Sequence, residues 1–283
     1  MHLYKTTGGA ILKLQEHYCR LLEDWDTLVN REQLHDWLQR VSINAEKLPA
    51  EKAVEMIHHT LLPPIGSQEV WAAGVTYLRS RDARMEESKE AGNADCYQKV
   101  YDAGRPELFF KALPHRVAGH GQSLYIRRDS AWNVPEPELT LFLNTSGQVQ
   151  AYTAGNDMSS RSIEGENPLY LPQAKIYERS AALGPCLYIP SKPLSPDTAI
   201  QLKIFRQEQI MFEGAAPLSR MKRSLAELAA WLYKECHFPA GCFLMTGTCL
   251  VPPGDFTLQK NDEVEITIPP IGVLRNKIGM KEE

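Results

Sequence analysis

The chain has 283 residues, of which 43% are hydrophobic and 23% charged, and its formal net charge at pH 7 is −4. These values are ordinary for a globular protein with one large domain or two smaller ones. The acidic balance and the lack of a long basic stripe argue against nucleic-acid binding. No apolar run approaches the roughly 18 residues of a membrane-spanning helix, and the first residues do not resemble a signal peptide. We therefore expect a protein that binds neither nucleic acid nor membranes.

The spacing of the cysteines indicates the cellular compartment that we expect. They are widely spaced and form no CxxC pair: Cys19, Cys96, Cys186, Cys236, Cys242 and Cys249. Such cysteines are typical of reduced thiols in a cytoplasmic protein, and a zinc site built from them is not expected.

Residues 1–65 are predicted to form a small N-terminal α/β domain. A hairpin that turns at Gly8-Gly9 is expected first, followed by an amphipathic helix over residues 25–41, where apolar residues recur at helical spacing. The consecutive prolines Pro63-Pro64 mark the boundary, because proline resists both helix and central strand. We expect this unit to be a cap or dimerisation module, with the catalytic domain over residues 66–283.

The next predicted elements alternate between strands and a charged helix. Residues 70–77 read as a strand, and the charged stretch that begins at Arg79 is predicted to be helical. Further strands are expected over residues 108–111, which end in a lysine, and over residues 123–126. A charged helix of this kind is ordinarily a solvated surface with ion pairs between successive turns.

Residues 132–157 carry the strongest local signal, a β-hairpin. Apolar residues alternate with polar ones on both sides of Ser146-Gly147, and this pattern is typical of two strands joined by a tight turn. With the turn at these residues, Glu136 lies opposite Asp157. Glu138 shares a face with Glu136, because side chains alternate along a strand.

Three carboxylates on one patch of a sheet require compensation, because neighbouring negative charges repel. A hard divalent cation such as Mg²⁺ is the simplest compensation, since it binds oxygen ligands and keeps positions for water or substrate. The alternative is an exposed glutamate pair at a strand entrance and an Asx turn at Asn156-Asp157. The spacing alone leaves both interpretations open.

The C-terminal third is predicted to hold strands and one helix. A strand is expected over residues 186–189 and a hairpin over residues 202–214. The apolar face of residues 221–236 indicates a helix that packs on the core. A buried strand then ends at Gly247-Thr248, where a glycine and a hydroxyl permit close approach of an anion.

Several separated motifs resemble the fumarylacetoacetate hydrolase superfamily. The pattern E-x-E followed by N-D-x-[ST]-x-R is matched by Glu136-Pro137-Glu138 and by residues 156–161. The family's closing run is matched by Gly247-Thr248, by residues 261–266 (NDEVEI) and by residues 271–276 (IGVLRN). The resemblance extends from about residue 70 to the C-terminus, with the motifs in the family's order.

This resemblance implies a sheet-rich α+β fold, a mixed β-sandwich or roll, with a Mg²⁺ site (Mn²⁺ being possible) and a homodimer or homotetramer. The implied metal ligands are Glu136, Glu138 and Asp157. The implied catalytic residues are Lys175, Glu164 and Arg161, and the implied substrate-binding residues are Gly247, Thr248, Tyr77 and Lys111. In this family Gly247 and Thr248 would hold the carboxylate of a small 2-oxo acid.

The expected reaction follows from a missing histidine. Hydrolases of the family carry N-Y-x-x-H-x-x-E after the first catalytic strand, whereas Ser80 occupies the histidine position here. The flanking sequence is similar to that of 2-keto-3-deoxy-sugar-acid dehydratases, and Glu164 replaces a glutamine common in hydrolases. We therefore expect a lyase of pentose catabolism that dehydrates 2-keto-3-deoxy-arabinonate through a metal-stabilised enolate, with Lys175 transferring the proton.

Two alternatives remain. The first is a metal-dependent hydrolase that cleaves a carbon–carbon bond in a 2,4-dioxo acid such as an acylpyruvate, which needs a general base beside the attacking water. The second is a non-catalytic ligand-binding or assembly protein with the same fold. Product analysis separates the expected dehydratase from the hydrolase, because dehydration leaves the carbon skeleton whole and hydrolysis yields two fragments.

Overall fold

A computed structural model of the protein describes residues 1–87 and 94–282. The strands are β1 (His2–Thr6), β2 (Gly9–Leu14), β3 (His17–Leu21), β4 (Glu46–Leu48), β5 (Glu69–Gly74), β6 (Glu107–Ala112), β7 (Val117–Ala118), β8 (Ser123–Ile126), β9 (Asn133–Val134), β10 (Pro137–Leu143), β11 (Val149–Asp157), β12 (Ser159–Ser160), β13 (Ala181–Tyr188), β14 (Ala199–Arg206), β15 (Gln209–Pro217), β16 (Cys242–Met245), β17 (Glu263–Ile268) and β18 (Gly272–Met280). The α-helices are α1 (Trp25–Val29), α2 (Leu34–Val41), α3 (Ala50–Thr60), α4 (Leu78–Glu87), α5 (Ala94–Asp102), α6 (Arg161–Glu166), α7 (Leu171–Lys175) and α8 (Leu225–Leu232).

The strands form two main sheets. The larger sheet has the order β4-β3-β2-β1-β13-β11-β10-β16-β5-β6, with β7 paired to β13, and the smaller one has the order β15-β14-β17-β18-β8. A short ladder joins β9 to β12. The predicted sheet-rich α+β fold is confirmed.

Strand β10 lies at the centre of the protein and is buried on both faces. Leu139, Leu141 and Leu143 belong to the cluster that includes the inward side chains of β14 and β17. Phe142, which points the other way, packs in a second cluster with residues of α1 and α2. Because β10 has hydrophobic layers on both sides and partner strands on both edges, its position is fixed in three dimensions.

The N-terminal strands continue the large sheet. The predicted N-terminal hairpin is confirmed as β1 and β2, although it turns at Thr7-Gly8, one residue before the predicted Gly8-Gly9, because Gly9 already pairs with Thr6. Strand β1 also pairs with β13 through His2↔Tyr188 and Leu3↔Leu187. Residues 1–65 therefore share a sheet and a hydrophobic cluster with the rest of the chain. The domain boundary after residue 65 stays a prediction.

Two predicted helices differ in extent from those observed. The single helix expected over residues 25–41 is wrong, because α1 and α2 are separated at Gln33, which has a left-handed backbone with φ 49°. The helix expected over residues 221–236 covers only α8, which begins where the Ser224 side chain accepts a hydrogen bond from the Glu227 N–H. The buried face expected for this helix is confirmed by Leu228 and Leu232. Within the described residues, no helix is both long and apolar enough to cross a membrane.

Candidate metal centre and active site

The central hairpin has the predicted register from Pro137 to Phe142, whereas a β-bulge between Phe142 and Leu143 shifts the pairing next to the turn to Leu143↔Val149. Pro137 pairs with Asn156, and the N–H of Asp157 donates to the carbonyl of Glu136 at 3.0 Å. The turn is closed by Asn144, and Gly147 adopts the positive φ of 74° that a tight turn requires. This register brings the ends of β10 and β11 together at Glu136, Glu138 and Asp157.

These three carboxylates form one cluster. An oxygen from each of Glu136, Glu138 and Asp157 lies within 4.8 Å of the other two. The three residues are buried, with exposures of 4%, 1% and 1%. The alternative interpretation, an exposed glutamate pair at a strand entrance, is therefore wrong.

Cationic side chains compensate part of the negative charge. Lys175 Nζ, at the end of α7, lies 2.5 Å from Glu136 Oε2 and 3.1 Å from Asp157 Oδ2. Lys111 Nζ lies 2.6 Å from Asp157 Oδ1, and Arg161 Nη2 donates to Glu136 Oε1 at 2.7 Å. The compensating groups thus engage two of the three carboxylates.

The pKa shifts reflect this unequal compensation. Burial works to raise the pKa of Glu136, but Lys175 and Arg161 outweigh burial and hold the pKa at about 2. The pKa of Glu138 is raised well above its usual value by burial and by the charges of Asp157 and Glu136. Glu138 Oε2 accepts a hydrogen bond from the Gly247 N–H at 2.7 Å. A buried three-carboxylate set with this residual negative charge fits a hard divalent cation such as Mg²⁺.

Lys111 also fixes the loop that carries Lys175. Its fully buried ammonium group donates to the carbonyl oxygens of Met158, at 3.0 Å, and of Lys175, at 2.5 Å. Burial lowers the pKa of Lys111, although Asp157 acts in the opposite direction. Lys111 therefore ties the end of β11 to the end of α7, and the substrate-binding role predicted for it stays a prediction.

Glu164 lies in a second layer of polar contacts. It accepts a hydrogen bond from Ser159 Oγ at 2.7 Å and forms an ion pair with Arg84 of α4. Arg84 Nη2 is also 3.8 Å from Glu136 Oε1, and the whole side chain is only 6% exposed. The sequence interpretation of this helix as a solvated surface missed Arg84, whose only signal was its position after the first catalytic strand.

The turn after β16 lies against the acidic cluster. Gly247 has a φ of 93°, and a Cβ at this position would lie 2.0 Å from Thr76 Oγ1, so the site requires glycine. The Gly247 amide predicted to hold a substrate carboxylate is bonded to Glu138, whereas the buried Thr248 lines the cavity beside it. The substrate-binding roles of both residues stay predictions.

Tyr77 and Ser80 occupy the position of the hydrolase motif. Ser80 Oγ donates to the Tyr77 carbonyl at 2.8 Å and thereby closes the first turn of α4. Tyr77 is 1% exposed, and its hydroxyl has no hydrogen-bond partner among the described residues. Burial raises the pKa of Tyr77. The substrate-binding role predicted for Tyr77 stays a prediction.

Glu107 is a titratable group that the sequence interpretation missed. It pairs with Gly74 across β5 and β6, and its carboxyl fills the space that a Cβ on Gly74 would occupy. Within the described part of the chain, its buried Oε2 has no hydrogen-bond partner. Burial raises its pKa, and the charges of Arg84 and Lys175 act against this rise. A charge next to the apolar Leu108-Phe109-Phe110 run was the only sequence signal.

These elements surround one small cavity. It is lined by the three carboxylates, by the exit of β5, by Ser80 and Arg84 of α4, by Phe109 of β6, and by Gly247 and Thr248. The cavity therefore brings together five of the predicted site residues: Glu136, Glu138, Asp157, Gly247 and Thr248. Tyr77, Lys111, Arg161, Glu164 and Lys175 are not among its lining residues, and the catalytic roles predicted for Arg161, Glu164 and Lys175 stay predictions.

Comparisons with known proteins agree with this geometry. Residues 70–279 match the family model described as "Fumarylacetoacetate (FAA) hydrolase C-terminal". The chain is 46% identical over 216 residues to the "Probable 2-keto-3-deoxyxylonate dehydratase" of Haloferax volcanii, covering 76% of this chain and 73% of the relative. It is 44% identical over 214 residues to the "2-dehydro-3-deoxy-D-arabinonate dehydratase" of Saccharolobus solfataricus, covering 75% and 72%.

A solved structure resembles the whole chain. It is described as "2-keto-3-deoxy-D-arabinonate dehydratase complexed with magnesium and 2,5-dioxopentanoate", with a TM-score of 0.83, 34% identity, and coverage of 100% of this chain and 99% of that one. The resemblance inferred from the motifs is confirmed, and the chain belongs to the fumarylacetoacetate hydrolase family.

Proposed function

We propose that the protein is a Mg²⁺-dependent hydro-lyase that converts a 2-keto-3-deoxy-pentonate of the arabinonate type to 2-oxoglutarate semialdehyde, which is 2,5-dioxopentanoate. The observation that carries this proposal is the buried cluster of Glu136, Glu138 and Asp157 in a chain 44–46% identical to two dehydratases of such sugar acids. The substrate is a small 2-oxo acid.

The reaction requires several proton transfers. A proton leaves C3 and the C4 hydroxyl departs with a proton as water, which leaves a C3–C4 double bond. One proton from C5 and the proton of the C5 hydroxyl are then lost, and C3 and C4 each gain a proton, which gives the aldehyde. The carbon skeleton stays intact. A bound Mg²⁺, held by the three carboxylates, would polarise the 2-oxo group and thereby acidify the C3 protons.

Two residues are available for proton transfer. Lys175 Nζ is engaged with Glu136 and Asp157 at 2.5 and 3.1 Å, which favours a role as counter-ion and hydrogen-bond donor. Glu107 has a buried oxygen with no hydrogen-bond partner among the described residues and a pKa raised by burial. We therefore propose Glu107 as the main proton acceptor and Lys175 as the residue that orients the cluster, which revises the proton-transfer role first predicted for Lys175.

The hydrolase alternative lacks its base in this chain. Ser80 stands at the histidine position, and its hydroxyl donates to the Tyr77 carbonyl. A serine hydroxyl used in this way does not accept a proton from an attacking water at neutral pH. This contact supports dehydration over carbon–carbon bond hydrolysis.

Assembly as a homodimer or homotetramer and a cytoplasmic location are also proposed. The first follows from the family resemblance, and the second is supported by the six free cysteines. Light scattering coupled to size-exclusion chromatography measures the mass directly, and a monomer of 31.9 kDa would contradict the proposed assembly.

A proton-exchange experiment tests the proposed chemistry. Mg²⁺-loaded protein is incubated in D₂O with 2-oxopentanoate, which has a C3 methylene but no leaving group, and exchange at C3 is followed by NMR above the uncatalysed rate. We expect catalysed exchange that depends on Mg²⁺ and is lost in Glu107→Gln. Exchange that persists unchanged in this variant would exclude Glu107 as the proton acceptor, and a lack of exchange in the wild-type protein would contradict the proposed enolisation step.

A further inference from the structure

Arg84 is a buried cation that approaches the acidic cluster from a helix outside the central hairpin. Its side chain is 6% exposed and lines the cavity. Gly247 contacts the cluster at Glu138, whereas Arg84 Nη2 lies 3.8 Å from Glu136. The two residues therefore reach the cluster at different carboxylates, with the cavity between their elements.

The geometry of α4 directs Arg84 inward. Tyr77, Ser80 and Arg84 are spaced by three and four residues, so they lie on one face of the turn and helix, and all three are buried. Leu78, on another face, is 49% exposed. Ser80 and Arg84 line the cavity, so the helix presents one hydroxyl and one guanidinium group to it.

The guanidinium is held in place from a second element. Arg84 forms an ion pair with Glu164 of α6, and Glu164 is itself fixed by the hydroxyl of Ser159 at 2.7 Å. A guanidinium carries five N–H donors in a planar fork, so one group can bind a carboxylate and a neutral oxygen at the same time. The arrangement leaves Arg84 ordered before a ligand enters.

We propose that Arg84 determines substrate specificity by donating hydrogen bonds to the hydroxyl groups at C4 and C5 of the sugar acid, the end of the substrate away from its 2-oxo carboxylate. This inference rests on the proposed function, because it assigns the distal end of that substrate to α4. A ligand without these hydroxyls binds the metal centre, but Arg84 adds nothing to its affinity.

The test compares two ligands of equal chain length. One is 2-keto-3-deoxy-pentonate, and the other is 2-oxopentanoate, which lacks both hydroxyls. Wild-type, Arg84→Met, Arg84→Lys and Arg79→Met proteins are measured at saturating Mg²⁺, with affinities from calorimetry or inhibition and from KM where turnover occurs. Arg79 is the control, because it lies on the same helix with a side chain that is 47% exposed.

We expect Arg84→Met to lose affinity for the hydroxylated ligand only. Arg84→Met weakens binding of the hydroxylated ligand by about 10- to 100-fold, the range for a hydrogen bond with one charged partner, and leaves 2-oxopentanoate binding unchanged. Arg84→Lys retains the charge beside Glu164 but not the fork, so it restores affinity only partly. Arg79→Met behaves as wild type.

Other results overturn the inference. Equal loss of both ligands in Arg84→Met would mean that Arg84 only supports Glu164. Equal affinity of the wild-type protein for both ligands would show that the hydroxyls are not recognised at all. If Arg84→Met does not fold, Arg84→Lys supplies the same comparison. Binding of 2-keto-3-deoxy-pentonate without dehydration would refute the proposed function while leaving the comparison of ligands valid for Arg84.

Discussion

Glu138→Gln is the substitution that most clearly separates metal binding from folding. It replaces a buried carboxylate by an amide of the same shape and removes one negative charge from the cluster. Glu138 accepts a hydrogen bond from the Gly247 N–H, and the amide oxygen of glutamine can accept the same bond. The change therefore alters the charge of the site with little change in its packing.

The magnitude follows from the spacing of the carboxylates. Two ionised carboxylate oxygens no more than 4.8 Å apart repel by at least about 3.5 kcal/mol at an effective dielectric constant of about 20, before neighbouring cations are counted. Lys175 and Lys111 pair with the other two carboxylates, so Glu138 bears most of the uncompensated repulsion. We expect metal-free Glu138→Gln protein to be at least as stable as metal-free wild-type protein.

Added Mg²⁺ should make the wild-type protein more stable than Glu138→Gln. Mg²⁺ at about 100 times its Kd stabilises the wild-type protein by about 2.7 kcal/mol, which corresponds to a rise in Tm of about 5 °C for a chain of this size. Glu138→Gln keeps only two carboxylate ligands and should lose this rise over the same range of Mg²⁺ concentration. Scanning calorimetry of chelator-treated protein, with and without added Mg²⁺, measures both effects.

The control is Glu55→Gln, because Glu55 is an exposed residue of α3. It should keep the full Mg²⁺-dependent rise in Tm. An unchanged rise in Glu138→Gln would refute the assignment of the metal ligands. A metal-free Glu138→Gln protein that melts several degrees below wild type would refute the account of charge repulsion.

Three further predictions follow from the contacts of the site. Glu107→Gln should abolish turnover. It should also raise Tm at neutral pH, because burial raises the pKa of Glu107 and makes the ionised wild-type carboxyl costly. Calorimetry across pH should show this gain in Tm disappear as the pH falls below 4.5, the usual pKa of a glutamate. In the wild-type enzyme, loss of the carboxylate form at low pH should reduce kcat through the same raised pKa, so a pH–rate profile without an acid limb would contradict the role of Glu107. Lys175→Met leaves two buried carboxylates without their shared cation. It should lower the free energy of unfolding of the metal-free protein by about 3 kcal/mol or more, the cost of a broken buried ion pair, and therefore lower Tm. An unchanged Tm would show that the ion pairs of Lys175 contribute nothing to stability.

The acidic cluster on the central hairpin was predicted correctly, but the turn alone does not determine it. Next to the turn Leu143 pairs with Val149, one residue out of the register predicted, and a β-bulge between Phe142 and Leu143 restores the pairing of Pro137 with Asn156. Without this bulge Asp157 would point to the opposite face from Glu136. The family motifs then identified Lys175 and Arg161, which the structure places against Glu136.

The rest depends on contacts between distant segments. Arg84 and Glu107 belong to stretches that resemble ordinary surface residues in sequence. Only the packing of α4 on α6 brings Arg84 to the cavity, and only the pairing of β5 with β6 places the Glu107 carboxyl beside Gly74, which lines the cavity. The break at Gln33 was missed for a different reason. The apolar spacing continues across it, although the backbone at Gln33 is left-handed, and hydrophobic periodicity does not report backbone conformation at a single residue.

A product assay tests the central claim, a metal-dependent dehydration, most directly. The purified protein is stripped with a chelator, resupplied with Mg²⁺, and given 2-keto-3-deoxy-pentonate and, separately, an acylpyruvate. The account predicts 2-oxoglutarate semialdehyde from the first compound only when Mg²⁺ is present, and no cleavage of the second. Release of pyruvate from the acylpyruvate without any dehydration of the sugar acid would contradict it and would establish a hydrolase.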